Sequence, residues 1–395
     1  MNASTLGFFS ATALAAIPLA CSSSGSTSAP GACAAPYDAI VAASDYSSSS
    51  LGGCTLDGGA SLPFKGVDLG SDPALASSNG RVFYLARDMN AIFELDPQCA
   101  SPRTKLDVSD TGSRASTNPQ DVAVASDGSM WIPRFNVPTL LVLDANGKRP
   151  ASNPTIDLSS HDPDGNPNAS AIRIEEVGGA EKAFVALERL DDKKDANGNV
   201  FVSRLPSSMV RIDVGTRNVE AEAMLAGRDP FGTIDESNGA FFLAAPGNFD
   251  SATEDDAGIE RFDPASFTTT YMLKESDLGA SVTEVAVNGA CGAAIVADPT
   301  VNVNATSLVT FDADHGTAIT TTANAILSTA GFDLSGLAWR GDTLFVGDRR
   351  AGGGGKYPIH VFDRSGEPGA SCTLTERADS IFVTQKPVTL RSTPP

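Results

Sequence analysis

The chain has 395 residues, 41 % of them apolar and 7 % aromatic, enough for a sizeable core in one long all-β domain or in two or three ordinary ones. Its 48 acidic residues against 28 Lys and Arg give a formal charge of −20 and a pI near 4.4, which argues against a nucleic-acid partner because phosphates would be repelled. A mean hydropathy of −0.05 argues against an integral helical membrane protein, and the one continuous apolar run, at the start of the chain, is too short to span a bilayer.

That run, Leu6 to Ala20, reads as the apolar region of an export signal, with small residues leading to Cys21. Ile17-Pro18-Leu19-Ala20-Cys21 resembles the lipobox of bacterial lipoproteins. The resemblance implies removal of residues 1–20 and acylation of Cys21, with membrane contact through the lipid alone. Ser22 after the cysteine implies, on the same resemblance, the outer membrane of a cell envelope; without lipidation the protein would be secreted or periplasmic. Ser22 to Ser28 opens a Ser-rich tether over residues 21–35, whose root-mean-square reach is roughly 20 Å.

From residue 36 the chain repeats. Six apolar alternations stop at an Asp: Ile92–Asp96, Leu140–Asp144, Met209–Asp213, Ile259–Asp263, Leu308–Asp312 and Ile359–Asp363. The period is about 50 residues, the length of a propeller blade. Each Asp is placed to cap a turn, as in Asp144-Ala145-Asn146-Gly147 and Asp363-Arg364-Ser365-Gly366. Upstream lie Gly turns and further strands: Asn79-Gly80 before Val82–Ala86, Asp127-Gly128 before Met130–Pro133, Asn238-Gly239 before Ala240–Ala244. Such dipeptides tolerate positive φ at both central positions of a hairpin turn. A strand before each Gly turn and another after each Asp turn complete four per unit, A to D from the centre outward. Ala39–Ser44, Leu51–Asp57 and Lys65–Leu69 supply strands B, C and D of one more blade. Its strand A is expected from Ser380–Thr384, so that the two chain ends close the ring and residues 386–395 form a tail. The expected fold is all-β, a β-propeller of seven four-stranded blades over residues 36–385, or of six if residues 36–60 are linker.

Arg81 to Asp88 and Thr343 to Asp348 end strand B in Asp, and Asp45 and Asp298 stand in the same place. In this the chain resembles the NHL/YVTN/SMP-30-like group of propellers over nearly its whole mature length. The resemblance implies architecture and no particular function, since such folds host many.

The A–B and C–D turns are short and share one face. The B–C and D–A connections, such as 191–206, 246–258 and 159–171, are long and make the other face the functional one. Strand B ends there in Asp45, Asp88, Arg134, Glu188, Asn248, Asp298 and Asp348. These residues either ring the channel mouth, to hold a divalent cation or a basic ligand, or cap their own loops. Asp162, Asp164 and Asn166, and likewise Asp195, Asn197 and Asn199, set oxygens at i, i+2 and i+4, as Ca²⁺ loops do. Arg173 and Pro206 stand where an EF-hand carries Glu, so each run is a Ca²⁺ loop of another kind or a solvated loop.

His161, His315 and His360 fall on different blades, and no H-x-x-x-H, Cys-x-x-Cys or G-x-S-x-G pattern points to zinc or a serine triad. Trp131 and Trp339 read as core. In an oxidising compartment four of the five cysteines beyond Cys21 would pair, with Cys33, Cys54, Cys99 and Cys372 as candidates. The sequence points to a monomeric, non-catalytic binder of a protein or small ligand through the long-loop face. SMP-30-like lactonases hold their ion with a Glu, an Asn and an Asp from different blades. On that resemblance Glu188, Asn248 and Asp298 would make a metal-dependent hydrolase the alternative.

Overall fold

The computed structural model describes residues 37–56, 68–97, 99–110, 112, 115–192, 202–203, 205–248, 253–298, 300, 305–365, 372–378 and 381–394. They form the expected seven-bladed propeller of antiparallel sheets. Blade 2 runs Pro73–Ser78, Arg81–Ala86, Ala91–Leu95 and Pro102–Asp107, and blade 3 runs Ala123–Val124, Met130–Ile132, Thr139–Leu143 and Thr155–Asp157. Blade 4 comprises Ala169–Val177, Ala180–Leu187, Ser208–Asp213 and Val219–Met224; blade 5 comprises Phe231–Ser237, Ala240–Ala245, Gly258–Asp263 and Thr268–Lys274. In the last two blades strand D is split. Blade 6 has Ser281–Asn288, Cys291–Asp298 and Ala305–Asp312, edged by Thr317–Ala318 and Leu327–Ser328. Blade 7 has Leu334–Arg340, Thr343–Asp348 and Tyr357–Ser365, edged by Thr373–Glu376 and Ile381–Val383.

Blade 1 is built from both ends of the propeller, but not from the segment the sequence suggested. Its strand A is Pro387–Ser392, paired antiparallel with Ala39–Ser44, which pairs in turn with Ser49–Cys54. Ile381–Val383, expected in that place, lies instead against Tyr357–Ile359 on the outer edge of blade 7. The expected strand D of blade 1 falls mostly outside the described residues.

Local chemistry accounts for most of the turns. Asn79-Gly80 and Asn238-Gly239 hold positive φ at both positions (49° and 69°, 52° and 70°), so the A–B hairpins of blades 2 and 5 close in two residues. The turn carboxylates cap as expected: Asp144 Oδ1 accepts from the Asn146 and Lys148 N–H groups, and Asp263 Oδ1 from those of Ala265 and Ser266. Asp363 differs. It lies inside the long third strand of blade 7 and takes a two-pronged ion pair from Arg377, at 2.8 Å on each oxygen.

The core lies between blades, where B and C strands are covered on both faces. Ala240–Ala245 is buried throughout, while the outer strand Val219–Met224 alternates half-buried and exposed. Phe184 of blade 4 meets Phe241 of blade 5 edge-on at 5.3 Å, and Trp131 is buried as expected. Cys291 and Cys372 form a disulfide between blades 6 and 7, Cys99 is also disulfide-bonded, and Cys54 is a free buried thiol, which corrects its candidacy for a bridge. Burial pushes the Cys54 thiol up to about 12. Cys21 and Cys33 lie outside the described residues. Among the described residues no helix is long and apolar enough to cross a membrane.

Candidate functional site

The inner strands leave a cavity of about 980 Å³ on the channel axis, opening on the B–C/D–A face. Its rim is apolar. Tyr46, Phe231 and Phe332 stand 56, 47 and 44 % exposed around the mouth, each on a B–C or D–A connection or at its end. Arg349 stacks over the Tyr46 ring at 5.1 Å and donates to its hydroxyl, which fixes that ring. Below the rim Arg87 pairs with Asp72 and donates to Gln120. At the bottom Arg391 reaches from blade 1 across the axis and donates to Thr233 Oγ1 of blade 5 at 2.7 Å. The cavity is therefore a cup with an arginine floor.

Around that floor the inner strands carry acids that link neighbouring blades. Asp121 Oδ2 accepts from the Ile172 N–H and from Arg173, both at 3.1 Å. Asp235 accepts from the Val287 N–H, and both oxygens of Glu284 accept from the Gly336 N–H at 2.8 and 3.0 Å. Burial pushes all three carboxyls up, Glu284 to about 7, while Arg391 and these N–H groups pull the other way. Burial likewise lowers Arg391, whose charge is balanced by Asp121, Glu284 and Asp235.

The cup wall between blades 4 and 5 holds a different arrangement. Glu188, at the end of strand B of blade 4, is 5 % exposed, and its carboxyl meets that of Asp229, which leads into strand A of blade 5. Burial and their mutual repulsion hold Glu188 well above the usual carboxylate range; burial raises Asp229 to about 6. Two adjacent buried carboxyls of this kind share a proton rather than ionise together. Ser207 holds the frame: its hydroxyl donates to the Glu188 carbonyl and accepts from the Asp229 N–H.

Of the seven residues expected at the channel mouth, Glu188 and Asn248 line the cup. The other five turn elsewhere, Asp45 and Asp298 to their own loops and the rest to other partners. Asp45 accepts from the Ser47 and Ser48 N–H groups, Asp88 from Ser71, and Asp298 from Thr300. Arg134 is fully buried against Asp110 at 2.5 Å. Asp348 is buried in blade 7, gripped by both Arg350 and His360. Asn248 is itself engaged with the backbone of Ser203 through both ends of its amide. Glu188, Asn248 and Asp298 are thus not brought together as an ion-binding set.

Of the oxygens of Asp162, Asp164 and Asn166, three accept from backbone N–H groups, while Asp162 Oδ2 and Asn166 Oδ1 are buried without a hydrogen-bond partner among the described residues. Asp162 accepts from the Asp164 N–H, Asp164 from those of Asn166 and Asp192, and Arg189 stands 3.8 Å from Asp162. Asp195, Asn197 and Asn199 lie outside the described residues. Among the described residues no three His, Cys, Asp or Glu side chains are grouped to hold a metal. The residues that do build the cup, above all Asp229, Glu284 and Arg391, escaped the sequence reading. Their signal was there: charged residues inside otherwise apolar inner strands or directly before one.

Neither a family model nor a curated protein matches this sequence. Solved structures share the fold. A protein assigned as a 6-phosphogluconolactonase from Bacteroides uniformis is 12 % identical, over 89 % of this chain and 98 % of that one, with a TM-score of 0.55. The RRP9 WD40 repeats are 10 % identical, over 82 % of this chain and 84 % of that one, at 0.53, and U3-55K is 10 % identical, over 82 % and 86 %, at 0.52. At such identities the likeness is one of fold alone.

Proposed function

We propose that this is an exported propeller, lipid-anchored through Cys21, whose central cup binds a small organic ligand without transforming it. The observation that carries the reading is the cup itself. Folding the chain builds one large concave cavity with three partly exposed aromatic side chains at its mouth, the mixed apolar and polar lining that small-molecule sites have. The disulfides accord with an oxidising compartment outside the cytosol. The apolar run before Cys21 supports export.

A ligand bound only by the folded state raises the melting temperature with concentration. A screen of small organic compounds should therefore give saturable shifts that vanish in Val388→Trp, which fills the cup from the inner strand of blade 1. Shifts that survive this variant would place binding elsewhere. The one observation that favours a hydrolytic reading is the acid pair, which could donate and accept protons. Lactone turnover that is lost in Glu188→Gln would replace the binding reading. For the anchor, Cys21→Ser should move the protein from the membrane to the soluble fraction, and unchanged fractionation would remove it.

A further inference from the structure

The two ends of the propeller meet on one face, and it is not the face of the cup. Strand A of blade 1, Pro387–Ser392, pairs with Ala39–Ser44 in a register that sets Ser392 opposite Ala39. In blade 2 the matching pair, Ser78 and Arg81, is joined by a two-residue hairpin turn. In blade 1 the chain instead enters at Tyr37 and Asp38 and leaves at Thr393, in the place of that A–B turn. The far end of Ala39–Ser44 runs into Tyr46 at the cup mouth. Entry point and mouth therefore stand at opposite ends of one six-residue strand, roughly 17 Å apart along it.

Several groups fix the entry point. The Thr393 hydroxyl donates to the Tyr37 carbonyl at 2.6 Å, and the Thr393 N–H donates to the Asp38 carbonyl at 3.2 Å. Arg340 ends the inner strand of blade 7 at its own A–B turn. It donates to the Tyr37 carbonyl at 3.1 Å and lies 3.1 Å from the Asp38 carboxylate. That carboxylate also accepts from the Leu56 N–H at 2.7 Å, just past the end of Ser49–Cys54. Any segment that precedes Tyr37 therefore sets out from the tight-turn face, whatever its own conformation.

An anchor carried on that segment makes the two faces unequal. Fifteen residues separate Cys21 from Tyr37, with a root-mean-square reach of roughly 20 Å. With the tight-turn face towards a bilayer, a lipid on Cys21 is reached directly. The reverse orientation needs the tether to pass outward beyond Ser49–Cys54 and then to climb the height of the blade. That path consumes the reach of the tether and forbids most of its conformations. Resting on the lipid-anchor reading above, we infer that the propeller stands with its tight-turn face towards the membrane and its cup open to the aqueous side. The ligand then arrives from solution rather than from the bilayer.

The test measures how far each face lies from lipid. Full-length acylated protein is reconstituted into vesicles of phosphatidylethanolamine and phosphatidylglycerol, with rhodamine on a fraction of the headgroups. A maleimide donor dye is placed at Asn146→Cys, an exposed position in the C–D turn of blade 3. A second preparation carries it at Gly353→Cys, an exposed position in the B–C loop of blade 7 where a side chain meets nothing within 4 Å. The native free thiol, Cys54, is buried and stays unlabelled. Energy transfer to the headgroups should be about twofold stronger from Asn146→Cys than from Gly353→Cys, because the two faces are a strand length apart. Insertion of about thirty Gly and Ser residues after Ser28, which lets the tether reach either face, should remove most of that difference. Equal transfer from the two sites at native tether length, or stronger transfer from Gly353→Cys, overturns the inference and leaves the anchor standing, since the protein is still on the vesicles. A difference undiminished by the long tether also overturns it, because the orientation would then come from the face and not from the entry point. If the native chain floats with the vesicles no better than Cys21→Ser does, the anchor reading fails and takes the inference with it.

Discussion

His360 sits between two carboxylates, with Nε2 3.1 Å from Asp348 and Nδ1 2.7 Å from Glu376. Burial alone would lower its pKa, but the two acids outweigh burial and raise it. Asp348 is the mirror case: burial pushes it up, yet His360 and Arg350 hold it down at about 2 against an ordinary 3.8. The signs fix a pH window. The Asp348 contribution is present above 3.8 and is lost as pH falls towards 2, whereas the His360 contribution is present below 6.5 and is lost as pH rises through its raised value. Asp348→Asn should therefore cost about 2 kcal/mol between these limits and less on either side, read from denaturant unfolding across pH. A cost that stayed flat from pH 4 to pH 9 would show that His360 takes no part. Residue-level readings from sequence divide along the same physical line. Asp45 and Asp298 are each followed by Ser or Thr within two or three residues, the signature of a carboxylate that caps its own loop. Glu188 has one more methylene and no such neighbour, and it reaches the cup.

At the scale of elements, strands B to D were legible because alternation, Asp turns and Asn-Gly turns all repeat. The closing strand was not. Ile381–Val383 has the stronger strand character, whereas Pro387–Ser392 opens with a proline and carries Arg391, which reads as tail. Two physical facts reverse that reading. A proline is tolerated as the first residue of a strand, where no ladder donor is required. The inner strands carry acids as well, so the charge of Arg391 is balanced there by Asp121, Glu284 and Asp235. Leu390 is fully buried and packs against blade 7, where Gly336 has φ of +85° and a side chain there would meet the Leu390 N and the Thr389 carbonyl carbon at 2.9 and 3.2 Å. Leu390→Ala should cost about 2–5 kcal/mol. Phe382→Ala, at a ring 40 % exposed on the outer edge, should change stability by less than about 0.5 kcal/mol. Thermal melts that ranked these two the other way would restore Ile381–Val383 as the inner strand.

In the whole molecule, three of the links between neighbouring inner strands are acids accepting backbone N–H groups: Asp121 to blade 4, Asp235 to blade 6, Glu284 to blade 7. Each carboxyl is buried, so the links add geometric specificity at the expense of desolvation, which pushes Glu284 up to about 7. The seam between blades 6 and 7 carries a second device. Cys291 opens strand B of blade 6 and Cys372 precedes the outer strand of blade 7, so their bridge joins the two blades on the tight-turn face, away from the cup. It spans 81 residues, which on the loop-closure account removes about 4–5 kcal/mol of unfolded-state entropy. Cys291→Ala/Cys372→Ala should therefore lower the denaturation midpoint substantially, while ligand affinity in the cup stays within about twofold because no lining residue moves. Reduction of the native protein should lower the midpoint at least as far as the double variant does, since it also opens the bridge at Cys99. If the double variant kept the native midpoint, the seam would be held by strand packing and its hydrogen bonds, those of Glu284, Trp339 and Arg364 among them, and the bridge would be a consequence of the compartment rather than a support of the ring.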